Sequence, residues 1–508
     1  MFHALKTEIQ EAATTLPVTS TQHRDLLYKK FQKRIIHNPA LDRTLVSFQA
    51  NKRTPFYSWF KYKEGFSQRL VAYLLEQLWN RPPGVLLDPF AGAGAALFAA
   101  RTRGWQTKGI EVLPVGVYAM QARLVASRID AAVFEAATHR LTKLDFAKYY
   151  NERHALDHIA ITKGAFPEEE ERQLIGYIAY CNQYVKNENV RTLFLYAAFS
   201  ILEEISYTRK DGQYLRWDCR SGRSQGKIPF DKGPIRLFRE AIEQKLSLMV
   251  ADLKGDLAQG ELFGEETNIQ PGPGPEFHQG SCLELLPGMQ TGSIDFVLTS
   301  PPYANRYDYT RTYALELVYL GQNHEDVKQL RQTMLSCTVE NKDKRDQLRR
   351  YYTTLGRRAD FEKVGRTFER QAALQEVLKI LDHYRDEGKL NNENIARLVR
   401  NYFYEMCFVV FELARLMRQG GIVAMVNDNV RYAGEEVPVD LILSDVAETF
   451  GLTTRCIWTL GRGKGNSSQQ MGNHGRSELR KCVYVWEKLT VRGATPLEKK
   501  PRKWCSGF

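Results

Sequence analysis

The chain reads as an α/β protein built on a mostly parallel sheet with two largely helical insertions. Three observations predict this. The run Gly84-Val-Leu-Leu-Asp88 is short, apolar and closed by an acid, and it enters the glycine turn Pro89-Phe90-Ala91-Gly92-Ala93-Gly94 ahead of a helical run from Ala95 to Arg103. A second strand and helix, Gln106 to Glu111 and Pro114 to Ser127, follow at once. Strand, turn, helix, strand, helix builds a parallel sheet with right-handed crossovers. Far downstream, the apolar strand Ile294 to Thr299 runs directly into Ser300-Pro301-Pro302-Tyr303.

At 508 residues the chain exceeds one average domain, so a large core with substantial additions is expected. Residues 1–50 are polar and basic, with the cluster Lys29-Lys30-Phe31-Gln32-Lys33-Arg34, and read as an N-terminal arm. Between Glu64 and Asn80, Phe66, Leu70, Val71, Leu74, Leu75 and Leu78 recur at helical spacing. The core is expected over 51–130, 276–321 and 391–490. Residues 131–275 carry long helical patterns and form a first insertion, closed by the Gly- and Pro-rich stretch Gly260 to Pro275. A second insertion, 322–390, alternates charges at helical spacing, and its run Lys342 to Arg358 reads as a solvated face. The core then closes with a helix (Glu405 to Arg418), a strand (Ile422 to Val426), a helix (Pro438 to Phe450) and strands near Thr453 to Leu460 and Leu479 to Trp486. Residues 491–508 are a tail.

In an open parallel sheet, ligands bind beyond the carboxyl ends of the strands, where a glycine turn lets the backbone approach and the next helix presents free amides. Asp88 to Gly94 has that pattern, and Glu111 ends the following strand, where a carboxylate can accept both hydroxyls of a ribose. The third glycine of the dinucleotide fingerprint is absent. The turn alone is compatible with a purely structural role; with Glu111 it points to a cofactor site.

Asp88-Pro-Phe-Ala-Gly-Ala-Gly94 together with Thr299-Ser-Pro-Pro-Tyr303 resembles the paired motifs of the DNA amino-methyltransferases, which modify cytosine N4 or adenine N6. Phe56-Tyr-Ser-Trp-Phe-Lys-Tyr-Lys-Glu-Gly-Phe66-Ser67 is similar to that family's N-terminal cofactor segment, and Asn427 to Gly434 to its late core loop. The resemblance implies a Rossmann-like methyltransferase core and S-adenosylmethionine as cofactor. It implies cofactor contacts from Asp88, Pro89, Phe90, Gly92, Gly94, Glu111, Phe66, Ser67, Ser281 and Thr299, and catalysis by Ser300, Pro301, Pro302 and Tyr303. Gly280-Ser281-Cys282 stands where relatives usually carry an acid that contacts the cofactor adenine, so Ser281 supplies at most one hydrogen bond there.

The chemistry explains the tetrapeptide. An exocyclic base amine is a poor nucleophile, because its lone pair is delocalised into the ring. Acceptors must hold its hydrogens so that the nitrogen pyramidalises toward the methyl group. The Ser300 hydroxyl and the Pro301 carbonyl are such acceptors, two prolines fix the backbone, and Tyr303 can stack on a base flipped out of the helix. Within the resemblance, Ser at the first position is typical of cytosine-N4 enzymes and Asp of adenine-N6 enzymes. Adenine N6 is the alternative target; an RNA methyltransferase and a non-catalytic nucleic-acid-binding protein on a methyltransferase core are further ones.

A formal charge of +12, from 71 Lys and Arg against 59 acidic residues, suits a polyanionic partner, and double-stranded DNA is the expected one, with a possible separate restriction endonuclease. The first insertion is the candidate recognition region, where Arg209, Lys210 and Arg216 surround a turn at Asp211-Gly212. Arg306 and Asp308, just after the tetrapeptide, are expected to line the base pocket, and Arg462 and Lys464 to form a phosphate-binding loop. Eight scattered cysteines show no metal-site or disulfide spacing. Neither a secretory signal nor a membrane-length apolar run is visible, so a soluble, cytoplasmic protein is expected.

Overall fold

Near-continuous apolar runs, the mark of strands buried on both faces, become the central sheet. In the computed structural model, which describes residues 20–63, 65–211, 214–224, 228–262, 272–461 and 479–489, the strands in chain order are β1 (Ile35–His37), β2 (Val85–Asp88), β3 (Gln106–Glu111), β4 (Thr208–Asp211), β5 (Tyr214–Trp217), β6 (Glu276–Gln279), β7 (Ile294–Thr299), β8 (Met417–Asp428), β9 (Val430–Tyr432), β10 (Glu435–Val437), β11 (Thr453–Thr459) and β12 (Lys481–Glu487). Eight of them form one sheet in the order β1-β11-β12-β8-β7-β2-β3-β6. Only β12 runs against its neighbours. The fold is the expected Rossmann-like α/β architecture.

Alternation from Phe296 to Leu298 assigns the two faces of β7 to separate cores, and a register shift between Ile294 and Phe296 puts Ile294 on the Val297 side. Ile294 and Val297 pack with the helices Ile395–Leu416 and Val439–Thr449, whereas Phe296 and Leu298 pack with Gln68–Leu78 and Ala95–Arg101. Phe296 is fully buried between Trp79 and Trp105, ring centroids 6.1 and 5.8 Å away, both edge-on. Phe296→Ala is expected to lower stability by about 3–5 kcal/mol. A denaturant melt shifted by under about 1 kcal/mol would contradict this packing.

The insertions are not separate bodies. The first packs its helices Glu168–Tyr184, Glu188–Ile205 and Phe238–Leu262 in one core with Trp59, Phe60, Tyr62 and the helix Pro114–Ala126. The second places Tyr352, Val364, Phe368 and Leu374 against Ile395–Leu416. Its run Lys342 to Arg358 is not simply a solvated face: Leu348 and Tyr352, four apart, are buried, and Lys344 is buried in an ion pair with Glu405 at 2.8 Å. The alternating charges concealed this apolar stripe.

Residues 20–50 likewise depart from the expected arm. The helix Gln22–Phe31 buries Leu27 and Phe31, and β1 joins the sheet edge beside β11. Its cations are neutralised internally: Arg24 bonds Glu376 and Glu435, and Lys30 bonds Asp445 at 2.6 Å and Glu448 at 2.8 Å. Their partners lie hundreds of residues away, so local charge density suggested an arm where a docked helix stands.

Candidate active site

From β2 the chain moves outward through β3 to β6, then returns to β7 on the other side of β2 and continues to β8. The strand order therefore reverses between β2 and β7, and the carboxyl ends flanking that point form the crevice where such sheets bind ligands. Asp88 ends β2 and Thr299 ends β7, and the Thr299 hydroxyl donates to Asp88 Oδ1 at 2.7 Å, both side chains being buried. One hydrogen bond thus locks the glycine turn to the tetrapeptide.

The turn needs its glycines. Gly92 and Gly94 have φ of 54° and 78°, in the left-handed region that favours glycine. A Cβ on Gly92 would also lie 2.9 Å from the Tyr62 ring. Glu111 braces the turn from β3: Oε2 accepts the Gly92 amide at 2.6 Å and Oε1 the Leu113 amide at 2.7 Å.

Above this floor lies a cleft of about 1150 Å³, open solvent at its mouth included. Asp88, Pro89, Phe90, Gly92, Glu111, Phe66 and Ser281 line it, and so do Ser300 and Pro302 of the tetrapeptide. Gly94, Ser67, Thr299, Pro301 and Tyr303 do not. Gly94 caps the helix Ala95–Arg101, and Thr299 sits behind on Asp88. Ser67 is a helix cap rather than a cleft residue: its Oγ accepts the Leu70 amide at 3.1 Å and donates to the Leu45 carbonyl at 2.6 Å. Tyr303 meets the cleft through Ser300, whose hydroxyl donates to the Tyr303 oxygen at 3.3 Å.

The late core loop comes to the same place, with the Tyr432 hydroxyl bonded to the Ala304 carbonyl. The cleft also has walls beyond the residues expected to contact the cofactor, some of them within the segment 56–67. Tyr57, Trp59 and Arg123 line it, the Arg123 guanidinium lying 3.5 Å from the Tyr57 ring centroid. Tyr196 comes from the first insertion, and Met334 and Leu335 from the second. The aromatic density of 56–62 was a legible signal; the contributions of the insertions were not.

Comparison with known proteins gives the family. The chain is 42% identical over 482 residues to the type II methyltransferase M.AvaI of Nostoc sp. and, equally, to M.AvaI of Anabaena variabilis, covering 95% of this chain and 96% of each relative. It is 39% identical over 476 residues to the type II methyltransferase M.BsoBI of Geobacillus stearothermophilus, covering 90% of this chain and 91% of that one. The chain belongs to the type II DNA methyltransferases. No protein-family model and no solved structure matches it.

Type II methyltransferases generally take their methyl group from S-adenosylmethionine, and the donor set of this methyltransferase fits that molecule. Asp88 and Glu111 are buried carboxylates at the cleft floor, and neither bonds a basic side chain among the described residues. Burial pushes the Asp88 carboxyl up to about 7, opposed by its bonds from Thr299 and the Phe90 amide and assisted by the nearby Glu111 charge. Burial likewise pushes Glu111 up to about 7, against the amides of Leu113, Gly92 and Val112.

Both folded values exceed those of unfolded carboxylates, so between about pH 4 and 7 the folded methyltransferase binds more protons than the unfolded chain. This contribution to stability is full at low pH and is lost as pH rises through about 7. A cofactor with a positive sulfur and ammonium favours the ionised carboxylates. Its affinity is therefore expected to rise by roughly tenfold between about pH 6 and pH 8. Calorimetric titrations giving the same affinity across that range would contradict the assignment.

The candidate DNA contacts of the methyltransferase separate into two groups. Arg209 and Arg216 face each other across the β4–β5 hairpin, a like-charge pair suited to a polyanion; Arg209 is exposed, while Arg216 also bonds Asp211 at 3.2 Å. Lys210 is an internal tie instead, buried in an ion pair with Glu316. Asp308 caps the helix Tyr309–Thr312 and pairs with Arg331 at 3.1 Å, so this buried carboxylate is engaged by the fold rather than facing a base. Arg306 adopts φ of 68° and bonds Asn391 at 3.0 Å. Arg462 and Lys464 lie outside the described residues. No described helix is long and apolar enough to cross a membrane.

Proposed function

We propose that this methyltransferase transfers the methyl group of S-adenosylmethionine to the N4 amine of cytosine in duplex DNA, as the modifying partner of a separate restriction endonuclease. The Thr299–Asp88 bond carries the proposal, because it fixes cofactor turn and tetrapeptide as one unit at the switch point. When bound, S-adenosylmethionine supplies an electrophilic methyl on a positively charged sulfur.

Glu111 would hold hydroxyls, Asp88 and Glu111 would favour the positive end, and the aromatic wall from 56 to 66 would exclude water. Ser300 Oγ and the Pro301 carbonyl would accept the amino hydrogens and direct the nitrogen lone pair, while Tyr303 stacks on the flipped base. No covalent enzyme intermediate is needed: the N–C bond would form as the C–S bond breaks, the sulfur leaving as a neutral thioether and the methylated amine losing one proton to solvent, so alignment supplies much of the rate. Arg209 and Arg216 are the candidate recognition contacts on the first insertion. Cytosine is favoured over adenine by the serine at position 300.

The test is modification sequencing of DNA from cells expressing the protein. N4-methylcytosine at one recurring sequence is expected. Unmodified DNA, or N6-methyladenine at the recurring site, would overturn the proposal.

A further inference from the structure

The β7–β8 ladder pairs Thr299 with Met425, so the two strands leave the sheet side by side, one into Ser300 to Tyr303 and the other into Asp428. On the far side of β8, β12 pairs Lys481 with Asp428. The Asp428 carboxylate is half engaged: Oδ2 accepts from Lys481 Nζ at 3.0 Å, while Oδ1 is buried with no hydrogen-bond partner among the described residues. The Lys481 ammonium stands 5.8 Å from the centroid of the Tyr303 ring, and the Asp428 and Lys481 charges both act on the Tyr303 hydroxyl, in opposite directions.

Buried polar atoms in native proteins nearly always find a partner, and an exception asks for a functional explanation. An acceptor and a cationic donor, bonded to each other with the ammonium over the Tyr303 ring, present adjacent and opposite hydrogen-bonding groups. A base lying on Tyr303 at van der Waals separation would turn its edge toward them.

We propose that Asp428 and Lys481 read the Watson–Crick edge of the flipped target base, Asp428 Oδ1 accepting one amino hydrogen and Lys481 donating to the neighbouring ring acceptor. The inference rests on the reading of this chain as a base-amine methyltransferase and deepens it. The pair matches an amine beside an acceptor, the edge of cytosine or adenine. Thymine would set its O4 against the carboxylate and its N3–H against the ammonium, so both contacts would repel. Cytosine also offers O2 as a second acceptor within reach of the lysine, where adenine offers only C–H. With one amino hydrogen on Asp428, Ser300 Oγ and the Pro301 carbonyl share the second instead of holding both.

The test measures single-turnover methylation of duplexes carrying cytosine or 3-deazacytosine, which lacks the N3 acceptor, at the site identified by sequencing. Asp428→Asn is expected to slow transfer roughly 100-fold, with cofactor affinity within about twofold of the unmodified protein. The unmodified enzyme is expected to prefer cytosine by roughly tenfold, and Lys481→Gln to abolish that preference, the signature of a direct contact. Equal rates of the unmodified enzyme on the two duplexes, or an undiminished preference in Lys481→Gln, would overturn the proposal. Both variants break a β8–β12 tie, so thermal midpoints are compared; the analogue duplexes test the unmodified enzyme even if the variants do not fold. An unmodified enzyme that methylates no cytosine would instead remove the functional reading on which the proposal stands.

Discussion

Ser300→Ala combined with Tyr303→Ala is expected to slow methyl transfer by roughly 10²–10³-fold or more, the range seen when groups aimed at a transition state are removed, while cofactor affinity stays within about threefold. The asymmetry follows from position. Ser300 lines the cleft and Tyr303 stands behind it, linked by the 3.3 Å bond between their hydroxyls, whereas the carboxylates proposed to favour the cofactor belong to β2 and β3. Losing Ser300 removes an acceptor for the amine, and losing Tyr303 removes the ring on which the base stacks. Rapid-quench single turnovers give the rate and calorimetry the affinity. A double variant that transfers methyl at the unmodified rate would strip the tetrapeptide of its assigned role.

Glu111→Gln should produce the opposite pattern. Both carboxylate oxygens accept backbone amides, from Gly92 and Leu113. The substitution turns one acceptor into an NH₂ group facing an N–H, leaving buried donors unsatisfied at a cost of about 1–3 kcal/mol. It also loosens the Gly92 turn and removes the charge that favours a cationic ligand. Cofactor affinity is expected to fall by roughly 100-fold, about the factor that 2–3 kcal/mol represents for a charge-assisted site. An affinity within threefold of the unmodified protein would place the cofactor elsewhere.

The sheet was legible where chemistry and periodicity coincide. The limits of β7 follow from the apolar run that ends at Thr299, and those of β3 from its place after the first helix and its closing Glu111; the reversal between β2 and β7 then brings Asp88 and Thr299 together. What could not be read depends on distant partners. Lys210 looked like a nucleic-acid contact because it sits at a charged turn, yet Glu316 from another helix draws it inside. Asp308 looked available until Arg331 closed on it.

Tyr196, Met334 and Leu335 enter the cleft only because both insertions fold back over the core, which no local pattern announces. Conversely, Asp428 stands in the segment that resembles the late core loop, but Lys481 is unremarkable in sequence, and only the β8–β12 register pairs it with Asp428 and sets its ammonium against the Tyr303 ring.

The most direct test of the account is to incubate the purified protein with duplex DNA and methyl-labelled S-adenosylmethionine, digest the DNA to nucleosides and identify the labelled product. The account predicts label in N4-methyl-2′-deoxycytidine. Label in N6-methyl-2′-deoxyadenosine, or transfer to RNA in preference to duplex DNA, would contradict it.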